Sequence, residues 1–97
     1  MKYRPDLLIL LDILNSIDTD GVTISYISTY SNMPNPRVKN RLNQMIKSGL
    51  VEEFIDKNGK RLYRLTPDGV KTRNRIREMV LFLGELGLLP VDKGKIR

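Results

Sequence analysis

Apolar residues recur at helical spacing in most of this chain and alternate with polar ones in one central stretch. The first group, Leu7, Leu8, Ile9, Leu10, Leu11, Ile13 and Leu14, follows Pro5, a residue suited to an opening helical turn, and predicts helix one over 5–17. These positions wrap most of the way round the cylinder, whereas a surface helix of a monomer carries one apolar stripe and one polar face. Helix one is therefore expected to be buried on more than one side. Asp18, Thr19, Asp20 and Gly21 form a turn, after which Val22 supplies a single extended residue pair. Thr23 then caps helix two, placed over 23–32 with Ile24, Ile27 and Tyr30 inward. Asn32, Met33 and Pro34 end it, because proline disfavours helical geometry in the residue before it.

Asn35 reads as an N-cap and Pro36 as a first helical residue, so helix three is expected over 36–48 with Gly49 as its left-handed stop. Residues 50–65 hold two strand-like runs around Asn58 and Gly59, the pair that a type I′ hairpin turn favours. Thr66 and Pro67 repeat the cap-plus-proline signal and open helix four over 67–86. Val70, Ile76, Met79, Val80 and Leu83 face inward along it, until Gly84, Gly87 and Pro90 break it. Two short helices joined by a tight turn and followed by a hairpin make a winged helix-turn-helix. The expected fold class is thus mainly α with a small β-hairpin (α+β), a single domain over 1–97 extended by a C-terminal helix suited to dimerisation.

Composition narrows the chemistry more than it changes the fold. Ninety-seven residues allow one modest core and not two. The chain has no cysteine and no histidine, which removes thiolate catalysis, disulfides and the commonest metal ligand and general base. The one adjacent carboxylate pair, Glu52 and Glu53, lies on a predicted strand where neighbours face opposite ways. No enzyme, cofactor or metal is expected. No apolar run reaches the length of a membrane span, and a secretory leader is not apparent because Asp6 and Asp12 interrupt the N-terminal apolar segment. A cytoplasmic, nucleoid-associated location is the corresponding expectation.

Charge is distributed unevenly. Residues 37–77 hold twelve Lys and Arg against four carboxylates, a net of +8, while residues 1–36 are net −2 and residues 78–97 neutral. A basic middle fits a polyanion, or simply a solvated basic surface. Position along helix three separates the two. Val38, Leu42, Met45 and Ile46 share one face, and the opposite face shows Arg37, Asn40, Gln44 and Lys47 with Arg41 and Asn43 at its borders and no carboxylate. Arginine can donate two hydrogen bonds to guanine, and Asn or Gln can pair with adenine. Asn35, Arg37, Asn40, Arg41 and Gln44 are therefore the candidate base-reading residues of a major-groove helix. Lys39, Lys47 and the hairpin cations Lys57, Lys60 and Arg61 are the candidate phosphate contacts.

Other features fit packing better than recognition. Lys71, Arg73, Arg75 and Arg77 are spread around helix four and read as a solvated face. Tyr26, Tyr30 and Tyr63 do not group into a stacking platform, which leaves core or boundary positions for them. Apolar surface is in excess at both ends of the chain. Leu7, Leu10, Leu11 and Leu14 on helix one and Met79, Phe82, Leu83 and Leu86 on helix four are expected at a two-fold homodimer interface. The alternative is a monomer in which helix four folds back over helix one.

The register of Ile24, Ile27, Met33, Val38, Leu42, Lys47, Gly49, Leu50 and Val51 resembles that of winged-helix regulators. The segment Tyr63-Arg64-Leu65-Thr66-Pro67-Asp68-Gly69 is similar to the stretch that ends the wing and starts the last helix in that family. Together these motifs, over roughly residues 5–85, resemble small archaeal winged-helix DNA-binding proteins, including chromatin-associated ones that dimerise by a C-terminal helix, and more distantly MarR-like and PadR-like regulators. Met33-Pro34-Asn35-Pro36 departs from the Leu-Ser step common there, and the last helix is shorter than in the long coiled-coil members. The resemblance implies double-stranded DNA as partner, with transcriptional regulation or chromatin organisation as the role. A winged-helix module for a protein partner remains a third reading.

Overall fold

Thr23 and Thr66 sit in extended backbone and each cap the helix that follows, accepting from the amides of Tyr26 and Gly69 at 3.1 and 3.0 Å. The computed structural model describes residues 6–89; Pro5 and Pro90, assigned above to a helix start and a helix stop, lie outside them. Within that range the order is α1 (Asp6–Ser16), α2 (Ile24–Ser31), α3 (Asn35–Lys47), β1 (Val51–Ile55), β2 (Arg61–Leu65) and α4 (Pro67–Glu85). The fold is mainly helical with one small antiparallel hairpin.

The turn between α2 and α3 shows why two prolines are tolerated there. Asn32 takes the left-handed conformation (φ 56°, ψ 48°), and its amide and that of Met33 both return to α2 carbonyls. Met33 is then carried into the core. Pro34, not Asn35, is the N-cap of α3. Pro34 is extended at φ −67°, ψ 150°, and its carbonyl accepts from Arg37 and Val38. Asn35 is thus the first helical residue and makes no capping bond, which corrects its assignment and moves Pro36 one place into the helix.

The hairpin is short and its register runs from Val51 opposite Leu65 to Ile55 opposite Arg61. Its turn is not type I′, which needs positive φ at two consecutive residues. Only Gly59, at φ 82°, is positive there. The carboxylate of Asp56 accepts from the amides of Asn58 and Lys60 at 2.9 and 2.8 Å, while Gly59 N–H bonds to the Asp56 carbonyl. That side-chain hold on the backbone draws residues 56–59 into an ordinary turn closed by a left-handed glycine. Val22 adds the expected extended pair: it exchanges two hydrogen bonds of 2.8 Å with Tyr63.

One core cluster gathers Ile9, Ile13, Leu14 and Ile17 with Ile27, Met33, Val38, Leu42 and Met45 and with Val51, Tyr63 and Leu65 of the hairpin. A second joins Leu11 to Val80, with Leu7, Leu8 and Ile76 packed against them. Helix one is indeed buried on more than one side, but α4 of the same chain provides the second side. Leu11 and Leu14 are 1 % and 0 % exposed, and Leu7 and Leu10 are partly covered. Leu11 and Leu14 are therefore corrected from partner contacts to protomer core, while Leu7 and Leu10 are half-covered within the protomer. On α4, Val80 is buried and Val70, Ile76 and Leu83 half-buried, whereas Met79, expected inward, is exposed. Gly84 does not break α4; the helix ends at Glu85, and Gly87 takes the left-handed turn beyond it.

Arg73 and Arg77 are half-buried, which corrects the solvated reading of that run. Arg77 donates to the side chain of Asn15 on α1 at 2.7 Å, and burial lowers the Arg73 pKa. Tyr63 is core and Tyr30 half-buried as expected, but Tyr26 is largely exposed.

Among the glycines of the described residues, Gly69 sits in the closest approach to other atoms. A Cβ at this position would lie 2.0 Å from the carbonyl oxygen of Leu50, and Leu50 is held by its own bond from the Thr66 amide. Backbone cannot yield as a flexible side chain would, so overpacking here disturbs both the start of α4 and the base of the wing. Gly69→Ala is expected to cost about 2–3 kcal/mol and lower the melting temperature by roughly 10–20 °C. Thermal melts followed by circular dichroism check this; a shift of only a degree or two would show that α4 docks more loosely.

Candidate nucleic-acid interface

The sequence of α3 leaves its outer face polar because the inner face is fully used. Val38, Leu42 and Met45 are buried and Ile46 half-buried. On the other side Asn35, Arg37, Asn40, Asn43, Gln44 and Lys47 are all exposed. Arg37 and Lys47 make no ion pair among the described residues. The same is true of Lys57 and Lys60 at the tip of the hairpin. The outer face of α3 from Arg37 to Lys47 is therefore cationic and amide-bearing with no carboxylate, and the hairpin tip adds two further exposed lysines.

Three other predicted contacts are engaged within the protein. Arg41 is half-buried and donates to Asp6 at the start of α1 at 3.1 Å. Lys39 lies at the border of α3 nearest the hairpin, not on the outer face. Its Nζ donates to the Tyr63 hydroxyl at 3.0 Å and lies 3.4 Å from Oε2 of Glu53. Arg61 reaches the same oxygen at 2.8 Å, and the Tyr63 hydroxyl donates to it at 3.1 Å. One carboxylate oxygen thus gathers two cations and a phenol between α3 and the hairpin.

The electrostatic consequences run as charge pairing requires. The Arg61 guanidinium, followed by the Tyr63 hydroxyl and Lys39, holds the Glu53 carboxyl below its ordinary range. The Tyr63 hydroxyl, followed by the charge of Glu53, raises Lys39, and Glu53 raises Arg61. On the other side of the hairpin, Glu52 pairs with Arg64 at 2.9 Å, and Arg64 stacks over the Phe54 ring at 4.3 Å.

Glu53 is the functional candidate that sequence reasoning passed over. The available signal was strand alternation: Glu53 shares a face with the apolar Val51, and the register sets it opposite Tyr63. Among the described residues there is no group of three or more side chains suited to hold a metal ion. No described helix is long and apolar enough to cross a membrane.

Comparison with known proteins agrees with this geometry. The structure is similar to the DNA-binding protein Sso10a-2 of Sulfolobus solfataricus, with a TM-score of 0.77 and 21 % identity, covering 92 % of this chain and 100 % of that one. It is also similar to the transcriptional regulator BldR of the same organism, at TM-score 0.76 and 16 % identity over 89 % of this chain. The PcaV regulator of Streptomyces coelicolor matches at TM-score 0.75 and 18 % identity, again over 89 % of this chain. The chain spans 63 % of the length of BldR and 65 % of PcaV. No curated protein matches the sequence. A family model described as winged helix-turn-helix matches residues 3–83; the chain belongs to the winged helix-turn-helix family.

Proposed function

We propose that the protein binds double-stranded DNA as a transcriptional regulator of the winged-helix type, with α3 in the major groove and the hairpin along the backbone. The observation that carries this reading is the exposed, carboxylate-free face of α3. Asn35, Arg37, Asn40 and Gln44 supply donors and acceptors suited to base edges, and Arg41 joins them if it exchanges Asp6 for DNA. Lys47, Lys57 and Lys60 stand ready for phosphates, with Lys39 and Arg61 behind them. The DNA-binding and regulatory roles named for Sso10a-2, BldR and PcaV support the same reading.

A homodimer is the second part of the proposal. Met79, Phe82 and Leu86 are 51 %, 55 % and 56 % exposed. Their spacing of three and then four residues is that of a coiled-coil seam. A second copy of this chain would cover this stripe about a two-fold axis, with half-buried Leu83 at its edge. That favours α4 to α4 as the contact, since Leu11 and Leu14 of α1 are already enclosed by the same chain.

If each protomer neutralises about four phosphates, the logarithm of the affinity should fall with the logarithm of salt at a slope of about −3.5. Fluorescence anisotropy across a salt series measures it, and a slope near zero would remove the DNA reading. Arg37→Ala or Asn40→Ala should cost about 1–3 kcal/mol on a selected site and little on random duplex. Equal losses on both would make the protein an architectural binder without base reading.

Phe82→Glu should convert a dimer to a species of 11.2 kDa in sedimentation equilibrium, with melting changed little because the side chain is exposed. Wild-type protein sedimenting as that same species at micromolar concentration would end the dimer proposal.

A further inference from the structure

Glu53 stands out among the wing carboxylates by what it faces. Asp56 is consumed by the hairpin turn, and Glu52 lies on the opposite face of the sheet with Arg64. Glu53 alone occupies the junction of hairpin and α3, where its Oε2 accepts from Lys39, Arg61 and the Tyr63 hydroxyl. Two cations and a hydroxyl converging on one anionic oxygen are the donor set that a phosphate oxygen takes. The carboxylate is not deeply enclosed: its side chain is 29 % exposed, and Arg61 and Lys39 are more so. Donors arranged in this way can change partner without unfolding anything.

We propose that Glu53 is an internal phosphate mimic: it holds Lys39 and Arg61 in place in the free protein and yields them to the DNA backbone on binding. This rests on the DNA-binding reading above and adds a regulator of specificity to it. While Glu53 holds both cations they contribute little attraction to a random duplex, and the carboxylate itself repels phosphates. A correct site, where base contacts from α3 hold the backbone close, supplies the free energy for the exchange. A random site does not. The residue therefore lowers raw affinity and widens the gap between specific and non-specific binding, since specificity is a difference that a repulsive element can enlarge. Glu53 is a positioning residue and reads no base.

Two measurements on the full chain test this. In the first, wild type and Glu53→Gln are titrated with a short random-sequence duplex over a salt series. The amide keeps the size of the side chain and removes its charge. Binding should tighten several-fold and the salt slope steepen by about one to two, as Lys39 and Arg61 become free to release counterions. An unchanged slope, or weaker binding by a variant that melts like wild type, would overturn the proposal. The second measurement needs no variant. The Glu53 carboxyl of the wild type is titrated by carbon-13 NMR, free and bound to the duplex. In the free protein Arg61, Tyr63 and Lys39 keep its pKa low; in the complex the midpoint should rise as the cations move to phosphates. A midpoint that stays low in the complex would show that the cluster is purely structural. The DNA reading itself would survive that result, whereas it falls only if wild-type protein shows no salt-dependent binding.

Discussion

Tyr63 is the joint on which the arrangement of helices and wing depends. Its backbone pairs with Val22 through two hydrogen bonds, so the loop before α2 becomes a third, one-residue partner for the hairpin. Its ring is buried in the main core, in the cluster that also holds residues of α1 and α3. Its hydroxyl emerges on the far side to meet Lys39 and Glu53. A two-stranded hairpin is marginal by itself in water. Here the base of the hairpin is anchored at three points, the Val22 bridge, the bond from Leu65 N–H to the Asp18 carbonyl, and the Thr66 cap reaching the Gly49 carbonyl. The wing therefore stands at a set angle to α3 rather than swinging on a linker. A helix face and a hairpin tip can act as one charged surface only when that angle is held.

Much of this was legible in the sequence because it depends on local rules. Thr23 and Thr66 are capping residues next to apolar periodicity, Val22 is flanked by turn residues, and the helical wheel of α3 separates Leu42 from Gln44 whatever surrounds it. The differences arise where a distant or unexpected group decides. Asn58 and Gly59 would form a type I′ turn, but the Asp56 carboxylate binds the amides of Asn58 and Lys60 and selects another geometry. Asn35 is a good cap by type, yet the carbonyl of Pro34 already accepts the first helical bonds. Periodicity counts how much apolar surface α1 has and cannot say what covers it; Val80 and Ile76 of α4 do. Arg77 is charged by type but reaches Asn15, sixty-two residues away in the chain, and is drawn inward. Glu53 was hidden for the same reason. Its meaning depends on a strand register and on a lysine of another element.

The basic surface is less basic than its composition implies. Of the cations on α3 and the hairpin, Lys39, Arg41, Arg61 and Arg64 are each paired with a carboxylate in the folded protein. Exposed pairs of this kind add little to stability, so their effect is better sought in binding. Each holds a long side chain near one position and lowers the charge presented to a polyanion from afar. Arg37, Lys47, Lys57 and Lys60, which make no ion pair among the described residues, keep their full charge toward a distant polyanion. If the surface binds DNA as proposed, a division of this kind lets it meet a duplex loosely through four side chains and tightly only after local exchange of the others.

The helix α4 transmits this geometry to the rest of any assembly. Its N-terminal end is fixed to the Leu50 backbone by the close approach at Gly69, and its middle is fixed to α1 through Val80 against Leu11 and Arg77 against Asn15. Nineteen residues of helix extend about 28 Å at about 1.5 Å per residue. The apolar stripe of Met79, Phe82 and Leu86 is therefore carried at a set distance and direction from the α3 face, with no linker between. If two copies pair on that stripe as proposed, the separation of their α3 faces is set by the register of the pairing and by little else. Sliding that register by one heptad moves a partner by about 10 Å, which is roughly three base pairs of duplex at about 3.4 Å each. Half-site spacing would then be encoded in a few side chains far from the DNA. On that proposal the apolar end of α4 would help to choose the target site alongside the base contacts proposed for Arg37 and Asn40.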